Sequence, residues 1–353
     1  MRSALEVNPA RSRNDVLVSL PPFACVGGLW ATGLEEVSHD PRSLETSGRW
    51  VVVIPYEGAA TFLKFATWEA GRPEWVHDSW QGVSLADWRT SLDESAYRAA
   101  VEMTQEAIGR GDVYQANICR VISAPCSTQD SLLGLFDRLV EGNPAPFAAI
   151  IHAPQFGVEI VSASPELFLR RSGTSLVSGP IKGTGRTPRD LLAKDSAENV
   201  MIVDLVRNDL SRVCMTGTVE VPRLLHVEEH PGLVHLVSEV RGQMKPGTPW
   251  SDILDATFPP GSVTGAPKSS ALRIIAEMES VSRRVYCGAV GWIDADQEQG
   301  ELAVAIRTFW RDEAMLNFGT GAGITWDSDS QAEWRETELK ASRLIGLATE
   351  GAT

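Results

Sequence analysis

The sequence has few basic residues for its size, and its cysteines follow no pairing pattern. Lysine and arginine number 32 against 46 acidic residues, so the formal net charge is −14. Nucleic acids and anionic membranes need a basic face, which argues against both as partners. The five cysteines contain no C-x-x-C pair. This argues against a zinc site or a disulfide framework and favours reduced thiols in a cytoplasmic protein.

Long apolar runs and a nucleotide-binding glycine motif are also missing. No segment approaches the roughly 18 apolar residues of a membrane span, and the early arginines precede no apolar run. We therefore expect neither a span nor a signal peptide. The glycine-rich segment 318–324 matches neither G-x-G-x-x-G nor a P-loop, and no helix opens at its last glycine. Its backbone N–H groups could still bind a carboxylate.

The 353 residues contain strand-like and helix-like patterns and are long enough for about two domains. The first 91 residues are rich in strand patterns, such as 50–54 and 61–65. The pattern then changes, and Asp93 is placed to cap a helix that runs to about Ile108. We therefore predict a short strand-rich part, 1–91, packed on a core formed by 92–350.

The stretch 178–185 places one amine among glycines. Pro180 fixes φ, and neighbours such as Gly183 can adopt φ > 0, so an extended segment is predicted to break into a tight turn. Lys182 on such a rigid loop could face a ligand that approaches the backbone closely. An ordinary solvated turn lysine is the alternative, and the stretch alone does not decide between them.

Carboxylates occur in pairs near the starts of two predicted helices: Asp195 with Glu198, and Glu333 with Glu336. Each pair has an ordinary explanation. Acids favour a helix N terminus, Ser330 begins a capping-box pattern that would occupy Glu333, and Glu336 can pair with Lys340 on the surface. Together, however, oxygen donors without histidine or cysteine suit Mg²⁺, which takes one or two carboxylates plus ligand oxygens and water.

Three other polar residues interrupt apolar strand patterns: Gln115, Glu166 and His235. A strand-surface amide, an exposed turn glutamate and a core histidine are the ordinary explanations. The functional ones are a polar cavity lined by Gln115 and a Glu166 carboxyl whose pKa is raised by desolvation in a cleft. Arg307, Tyr286, Lys340 and the glycine-rich segment could hold a further carboxylate. This set fits a small dianionic substrate.

Six segments, in this order, resemble motifs of the chorismate-utilising enzymes, which include anthranilate, aminodeoxychorismate, isochorismate and salicylate synthases. They are 164–168 (SPELF), 180–184 (PIKGT), 198–210 (ENVMIVDLVRNDL), 265–268 (GAPK), 319–323 (GTGAG) and 333–337 (EWRET). The resemblance covers about residues 92–350.

The resemblance implies an α+β fold in which two large antiparallel β-sheets pack together with helices outside. The site would lie in a cleft between sheet and helices. It implies that Glu198 and Glu336 hold Mg²⁺, with Asp195 and Glu333 in support. The metal would bind the ring carboxylate of chorismate. The positions implied to bind substrate are Thr184, Tyr286, Arg307, Gly321, Gly323 and Lys340.

Four further positions indicate the reaction. Glu166 matches the family's general acid, which protonates the departing 4-hydroxyl. Gln115 matches the members that use ammonia, whereas those that add water carry a lysine base there. Lys182 matches the lysine of aminodeoxychorismate synthases, which attacks ring carbon C2 before ammonia adds at C4. His235 matches a residue that helps remove the ring proton in anthranilate synthases; here we expect only a polarising or structural role.

The resemblance thus implies amination of chorismate to 4-amino-4-deoxychorismate, in 4-aminobenzoate and folate synthesis. We find no nucleophile-elbow cysteine with partners, so we expect a separate glutamine amidotransferase subunit to supply ammonia. Three alternatives are an anthranilate synthase component I that releases pyruvate, an isochorismate-forming isomerase and a catalytically inert scaffold. Lys182 counts against the first, Gln115 against the second, and the full set of acids against the third.

Overall fold

The computed structural model describes residues 20–77, 79–128, 131–185, 187–190, 193–230 and 233–349. These residues form strands and helices in the following order along the chain. The strands are β1 (Phe23–Val26), β2 (Leu29–Ser38), β3 (Arg49–Ile54), β4 (Thr61–Glu69), β5 (Arg89–Thr90), β6 (Gln115–Pro125), β7 (Phe147–Ala153), β8 (Val158–Ser164), β9 (Leu167–Ser172), β10 (Ser175–Gly179), β11 (Ile181–Gly185), β12 (Glu220–His230), β13 (Leu233–Gln243), β14 (Gly265–Ala266), β15 (Ala289–Asp294), β16 (Gln299–Val304), β17 (Thr308–Asp312) and β18 (Met315–Ile324). The helices are α1 (Glu94–Gly109), α2 (Leu133–Gly142), α3 (Ala193–Ser211), α4 (Trp250–Thr257), α5 (Lys268–Met278) and α6 (Ser330–Ala348).

Antiparallel pairings join these strands into one network. From β5 the pairings run through β6, β18, β17, β8, β7, β1, β2, β4, β3, β15, β16, β9, β10 and β13 to β12. Strand β11 lies beside β13, and β14 lies beside β6. The α+β class is confirmed, and the two expected antiparallel sheets are parts of one continuous network.

The largest hydrophobic core draws on strands from distant parts of this network. Val52 on β3, Ile151 on β7 and Leu169 on β9 are all at most 1% exposed and belong to it. Full burial of such a side chain stabilises the fold by about 1.5–3 kcal/mol. The helices pack on this framework, with α3 against β13, α5 against β6 and α6 against β18. No helix of the described residues is long and apolar enough to cross a membrane.

The strand-rich first part is continuous with the rest of the sheet. Strand β1 pairs with β7, and β3 pairs with β15 along their whole lengths. The first 91 residues therefore supply interior strands of the network. A boundary at residue 91 stays a prediction.

The N-caps show where local sequence signals succeed and fail. Asp93 caps α1 as predicted, because its side chain accepts a hydrogen bond from the Ala96 N–H at 2.8 Å. At α6 the cap is Asp329, which accepts from the Ala332 N–H at 2.8 Å. The capping box starting at Ser330 is therefore wrong by one residue, since Asp329 has the extended backbone and the side-chain oxygen that a cap needs.

The lysine stretch is a bulged strand and not the predicted loop. Residues 181–185 pair with β13, and the register shifts between Lys182 and Thr184. Gly183 lies at the shift with φ +77° and supplies the left-handed conformation that the bulge requires. The local pattern could not reveal this strand, because its hydrogen-bonding partner lies some fifty residues further along the chain. The glycine-rich segment is likewise a strand, within β18.

Candidate active site

Glu166 lies in the short connection between β8 and β9, with only 4% of its surface exposed. Burial raises the pKa of its carboxyl to about 7, although hydrogen bonds from the Ser262 side chain and the Ile181 N–H, and the charge of Lys182, oppose the shift. Near neutral pH the carboxyl therefore populates both protonation states, as a general acid should.

Lys182 lies on the bulge of β11, and its Nζ donates to the backbone carbonyl of Ser262 at 2.9 Å. The adjacent Gly183 brings this strand against α3: a Cβ on Gly183 would lie 2.9 Å from the Cβ of Asp195. The amine and the Glu166 carboxyl are electrostatic neighbours. The structure therefore brings together two of the predicted catalytic groups, the amine and the acid.

Gln115 is buried at the start of β6, and its Nε2 donates to Oε2 of Glu198 at 3.2 Å. This contact joins β6 to α3. It needs a glycine opposite, because a Cβ on Gly323 would lie 2.2 Å from the Gln115 Nε2. Glu198 Oε2 would lie 3.5 Å from that same Cβ. Three predicted site residues thus meet at the end of β18.

Helix α6 contacts the same strand through Lys340. Lys340 pairs with Glu336 at 2.7 Å and donates to the carbonyl of Gly321 at 3.0 Å. Gly321 and Gly323 are two residues apart on β18 and therefore share one face. Glu333 is 2% exposed and accepts a hydrogen bond from the Ser328 hydroxyl at 2.7 Å.

The carboxylates do not form a dense metal cluster. Within the described ranges, no three histidine, cysteine, aspartate or glutamate side chains converge as a group that could hold a metal ion. Two of the acids are linked to β18, Glu198 beside Gly323 and Glu336 through its partner Lys340 at Gly321. This donor set fits a hard cation that takes one or two protein carboxylates and completes its shell with ligand oxygens and water.

Two arginines neighbour each other, Arg307 between β16 and β17 and Arg343 on α6. Arg307 has φ +52°, and burial and the neighbouring Arg343 lower the pKa of its guanidinium. No ion pair joins Arg307 to a carboxylate in the part of the chain that the structure describes. Since an arginine stays charged in proteins, a substrate carboxylate bound here would offset the repulsion between the Arg307 and Arg343 charges. Tyr286 is 5% exposed and lies against Gly319, where a Cβ would be 2.1 Å from its ring.

His235 and Thr184 face each other across the pairing of β13 with β11. The His235 side chain is 3% exposed, which suits the structural role expected for it. The backbone of Thr184 is in the strand, but the predicted ring contact of its side chain lies outside the described residues.

Two residues of this region have no signal in the sequence that singles them out. Ser262 lies in the loop before the Gly-Ala-Pro-Lys segment and touches both Glu166 and Lys182. Arg343 is one of several charged residues on α6. Their neighbours come from distant segments, so spacing along the chain could not have identified them. Lys268 of the Gly-Ala-Pro-Lys segment pairs instead with Asp209 at 2.7 Å.

Comparison with known proteins gives relatives with two different names. The aminodeoxychorismate synthase component 1 of Escherichia coli is 36% identical over 272 residues, covering 74% of this chain and 59% of that protein. An anthranilate synthase component 1 of Haloarcula marismortui is 36% identical over 277 residues, covering 75% of this chain and 56% of that protein. The chain therefore spans a little over half the length of these curated relatives.

A solved structure shows the same fold. The anthranilate synthase component I of Streptococcus pneumoniae superposes with a TM-score of 0.74 at 23% identity, covering 98% of this chain and 94% of that one. The family model described as chorismate binding enzyme matches residues 63–346. The match spans most of the chain, and the chain belongs to the chorismate binding enzyme family.

Proposed function

We propose that this chain is an aminodeoxychorismate synthase component I, which converts chorismate and ammonia into 4-amino-4-deoxychorismate for 4-aminobenzoate and folate synthesis. One observation carries the proposal: the Lys182 amine lies beside the buried Glu166 carboxyl, with Ser262 touching both. A nucleophile and a proton donor at one place are what a substitution at a poor leaving group needs.

The reaction proceeds in two displacements. Glu166 gives its proton to the 4-hydroxyl, which leaves as water, while the neutral Lys182 amine bonds to ring carbon C2 and the double bonds shift. The new C2–N centre then passes a proton to the Glu166 carboxylate. Ammonia next bonds to C4, the double bonds shift back, and Glu166 returns the proton to the Lys182 nitrogen as the neutral amine leaves C2. The new C4 ammonium gives its extra proton to Glu166, which restores the starting state. The sum is chorismate plus ammonia to aminodeoxychorismate plus water, without an oxidant or a reductant.

The charged groups around β18 hold the substrate in this proposal. Arg307, Tyr286 and Lys340 bind carboxylates, together with the backbone at Gly321 and Gly323, and Thr184 lies beside the ring. Mg²⁺ would be held by Glu198 and Glu336, with Asp195 and Glu333 in support, and when bound would neutralise the ring carboxylate. The oxygen-only donors at the end of β18 support this choice of ion.

Ammonia reaches the site as the neutral nucleophile. Gln115 suits this role because neutral ammonia is already a nucleophile and needs no base. Water, by contrast, would need a base such as a lysine at this position. Both relatives are named component 1, which supports a separate partner subunit. We propose that this partner is a glutamine amidotransferase and that the enzyme works in the cytoplasm.

Anthranilate synthase component I is the second candidate. Its support is the relative of that name, at the same 36% identity as the aminodeoxychorismate synthase. The two functions differ in their products, because an anthranilate synthase also eliminates pyruvate. A ring proton must then be removed, for which His235 on β13 would be available.

Product analysis of a lysine variant tests the proposal. Chorismate, Mg²⁺ and ammonium are incubated at alkaline pH with the wild type, Lys182→Ala and Lys245→Ala, and products are identified by mass spectrometry. The wild type should make aminodeoxychorismate without pyruvate, and Lys182→Ala should lose at least ~10²-fold in turnover because the covalent step is gone. Lys245, an exposed lysine after β13, is the matched control.

A different set of products would contradict the proposed function. Anthranilate and pyruvate from the wild type, with turnover retained in Lys182→Ala, would show that the amine is a bystander and would favour the second candidate. Lys245→Ala should match the wild type in either case.

A further inference from the structure

We propose that Ser262 is a positioning residue that sets the Glu166 carboxyl and the Lys182 amine relative to each other; this inference rests on the function proposed above. Ser262 lies 80 residues beyond Lys182 in the chain, in the turn that precedes β14. Nothing in its own sequence neighbourhood assigns it a chemical role.

Two polar groups of Ser262 face the two reacting groups. Its carbonyl accepts from the Lys182 Nζ at 2.9 Å. Its side chain lies on the same cavity wall as Glu166 and interacts with that carboxyl in a way that lowers the carboxyl's pKa. Ser262 is itself 7% exposed, so it is held by its surroundings and does not move freely in solvent. One residue therefore fixes both the direction of the amine and the orientation of the acid.

A small cavity lies behind this contact. Its volume is about 10 Å³, which is room for about one water molecule, and its wall includes Glu166, Ser262, Ser178 and Asp209. Glu166 is 4% exposed, so little bulk water reaches its carboxyl. A hydrogen bond from a fixed hydroxyl counts for more in such a place than at the surface.

Charged groups face Glu166 from the elements packed around it. Lys182 approaches from β11 and Lys340 from α6, and both favour the ionised carboxylate. Across the cavity, Asp209 on α3 is paired with Lys268 at 2.7 Å. The Ser262 hydroxyl adds a donor that also favours the ionised form, so its removal should make Glu166 hold its proton more tightly.

The test compares Ser262→Ala and Ser262→Thr with Ser178→Ala, a buried serine on the same cavity wall. Glu166 is titrated by carbon-13 NMR of side-chain-labelled protein without chorismate, with Glu166→Gln identifying its signal. The high-pH limb of kcat/KM for chorismate is then measured.

Ser262→Ala should move the titration and the limb upward by about one pH unit, because a charge-assisted hydrogen bond is lost. Ser262→Thr, which keeps the hydroxyl, should restore both, and Ser178→Ala should leave both unchanged.

An unchanged titration in Ser262→Ala, or an equal shift in Ser178→Ala, would overturn the inference. If the alanine variant does not fold, Ser262→Cys keeps the side-chain size with a weaker donor and should shift the titration in the same direction; no shift would overturn the inference. The NMR measurement needs no turnover. A wild type that makes anthranilate would thus refute the proposed function and leave the role of Ser262 to be decided by the titration.

Discussion

The pKa values of two buried glutamates near β8 are shifted in opposite directions from the ordinary value. Burial dominates at Glu166 and raises the pKa of its carboxyl to about 7. Burial acts in the same direction at Glu159, yet the hydrogen bonds from His152 and Arg311 outweigh it, and the pKa of Glu159 falls below its ordinary value. Glu166 has a hydroxyl, a backbone N–H and nearby charges around it, but no direct ion pair among the described contacts. That difference suits the proton transfer proposed for Glu166 and a structural role for Glu159.

Glu166→Gln should inactivate the protein and stabilise it. The glutamine cannot give up a proton, so turnover should fall by about 10²–10⁴-fold. Between pH 4.5 and 7 the unfolded chain releases a proton that the folded Glu166 retains, so this residue lowers the free energy of unfolding as pH rises. Removing it should add up to about 3 kcal/mol at pH 8 and little at pH 4. Chorismate turnover and urea unfolding at both pH values measure these effects.

Glu159→Gln is the matched control for that variant. Its pKa is lowered in the fold, so Glu159 stabilises the protein above its unfolded pKa and loses this effect as pH falls. Glu159→Gln leaves the buried Arg311 without its ion pair and should cost about 3–5 kcal/mol at neutral pH. Equal stability changes in the two glutamine variants would contradict the assignment of distinct roles.

Local signals in the sequence predict secondary-structure elements better than they predict contacts between distant residues. Helix α1 and its cap follow from Asp93 and the apolar spacing behind it. The strand that carries Lys182 could not be predicted, because its backbone partners belong to β13. The lysine and most of the acids of the candidate site were predicted because they lie in recognisable motifs, whereas Gln115 was predicted from its position alone. Ser262 and Arg343 were not predicted, because the residues that they neighbour come from distant segments of the chain.

The glycines of β18 are best explained by what lies opposite them. At Gly323 a side chain would meet the movable amide of Gln115, whereas at Gly321 it would meet the backbone carbonyl of Ile118 at 2.6 Å. A methyl group is therefore accommodated at Gly323 only by displacing Gln115, while at Gly321 the strand itself would have to shift. The same residue type serves the site at one position and strand pairing at the other.

Gly323→Ala should fold but lose activity. The added methyl group would push the Gln115 amide away from Glu198, and a misplaced site group of this kind costs about 10²-fold in turnover. Gly346→Ala is the control: Gly346 lies in α6 with no atom within 4 Å of the added Cβ, so stability should rise by about 0.5–1 kcal/mol with activity retained. Thermal unfolding and chorismate turnover of both variants check this. Full activity in Gly323→Ala would show that the contact between Gln115 and Glu198 is dispensable.

The distribution of charge over the molecule opposes binding of a dianion. The net charge is −14, yet Lys182 and Lys340 lie near Glu166, and Arg307 and Arg343 neighbour each other. Two acids, Glu198 beside Gly323 and Glu336 paired with Lys340, offset part of that positive charge. If the proposed dianionic substrate binds here, a divalent cation held by these acids would convert repulsion of its carboxylate into attraction.

Turnover should therefore depend on Mg²⁺ through Glu198. We expect EDTA to abolish chorismate turnover and added Mg²⁺ to restore it. Glu198→Gln keeps the side-chain shape but removes an anionic ligand, so half-maximal turnover should require about 10–100-fold more Mg²⁺. Asp204→Asn on the same helix is the control, because Asp204 is an exposed partner of Arg207 and its pair is worth at most about 1 kcal/mol. Full activity in EDTA, or an unchanged Mg²⁺ requirement in Glu198→Gln, would mean that the cationic side chains alone hold the dianion against the charge of the whole protein.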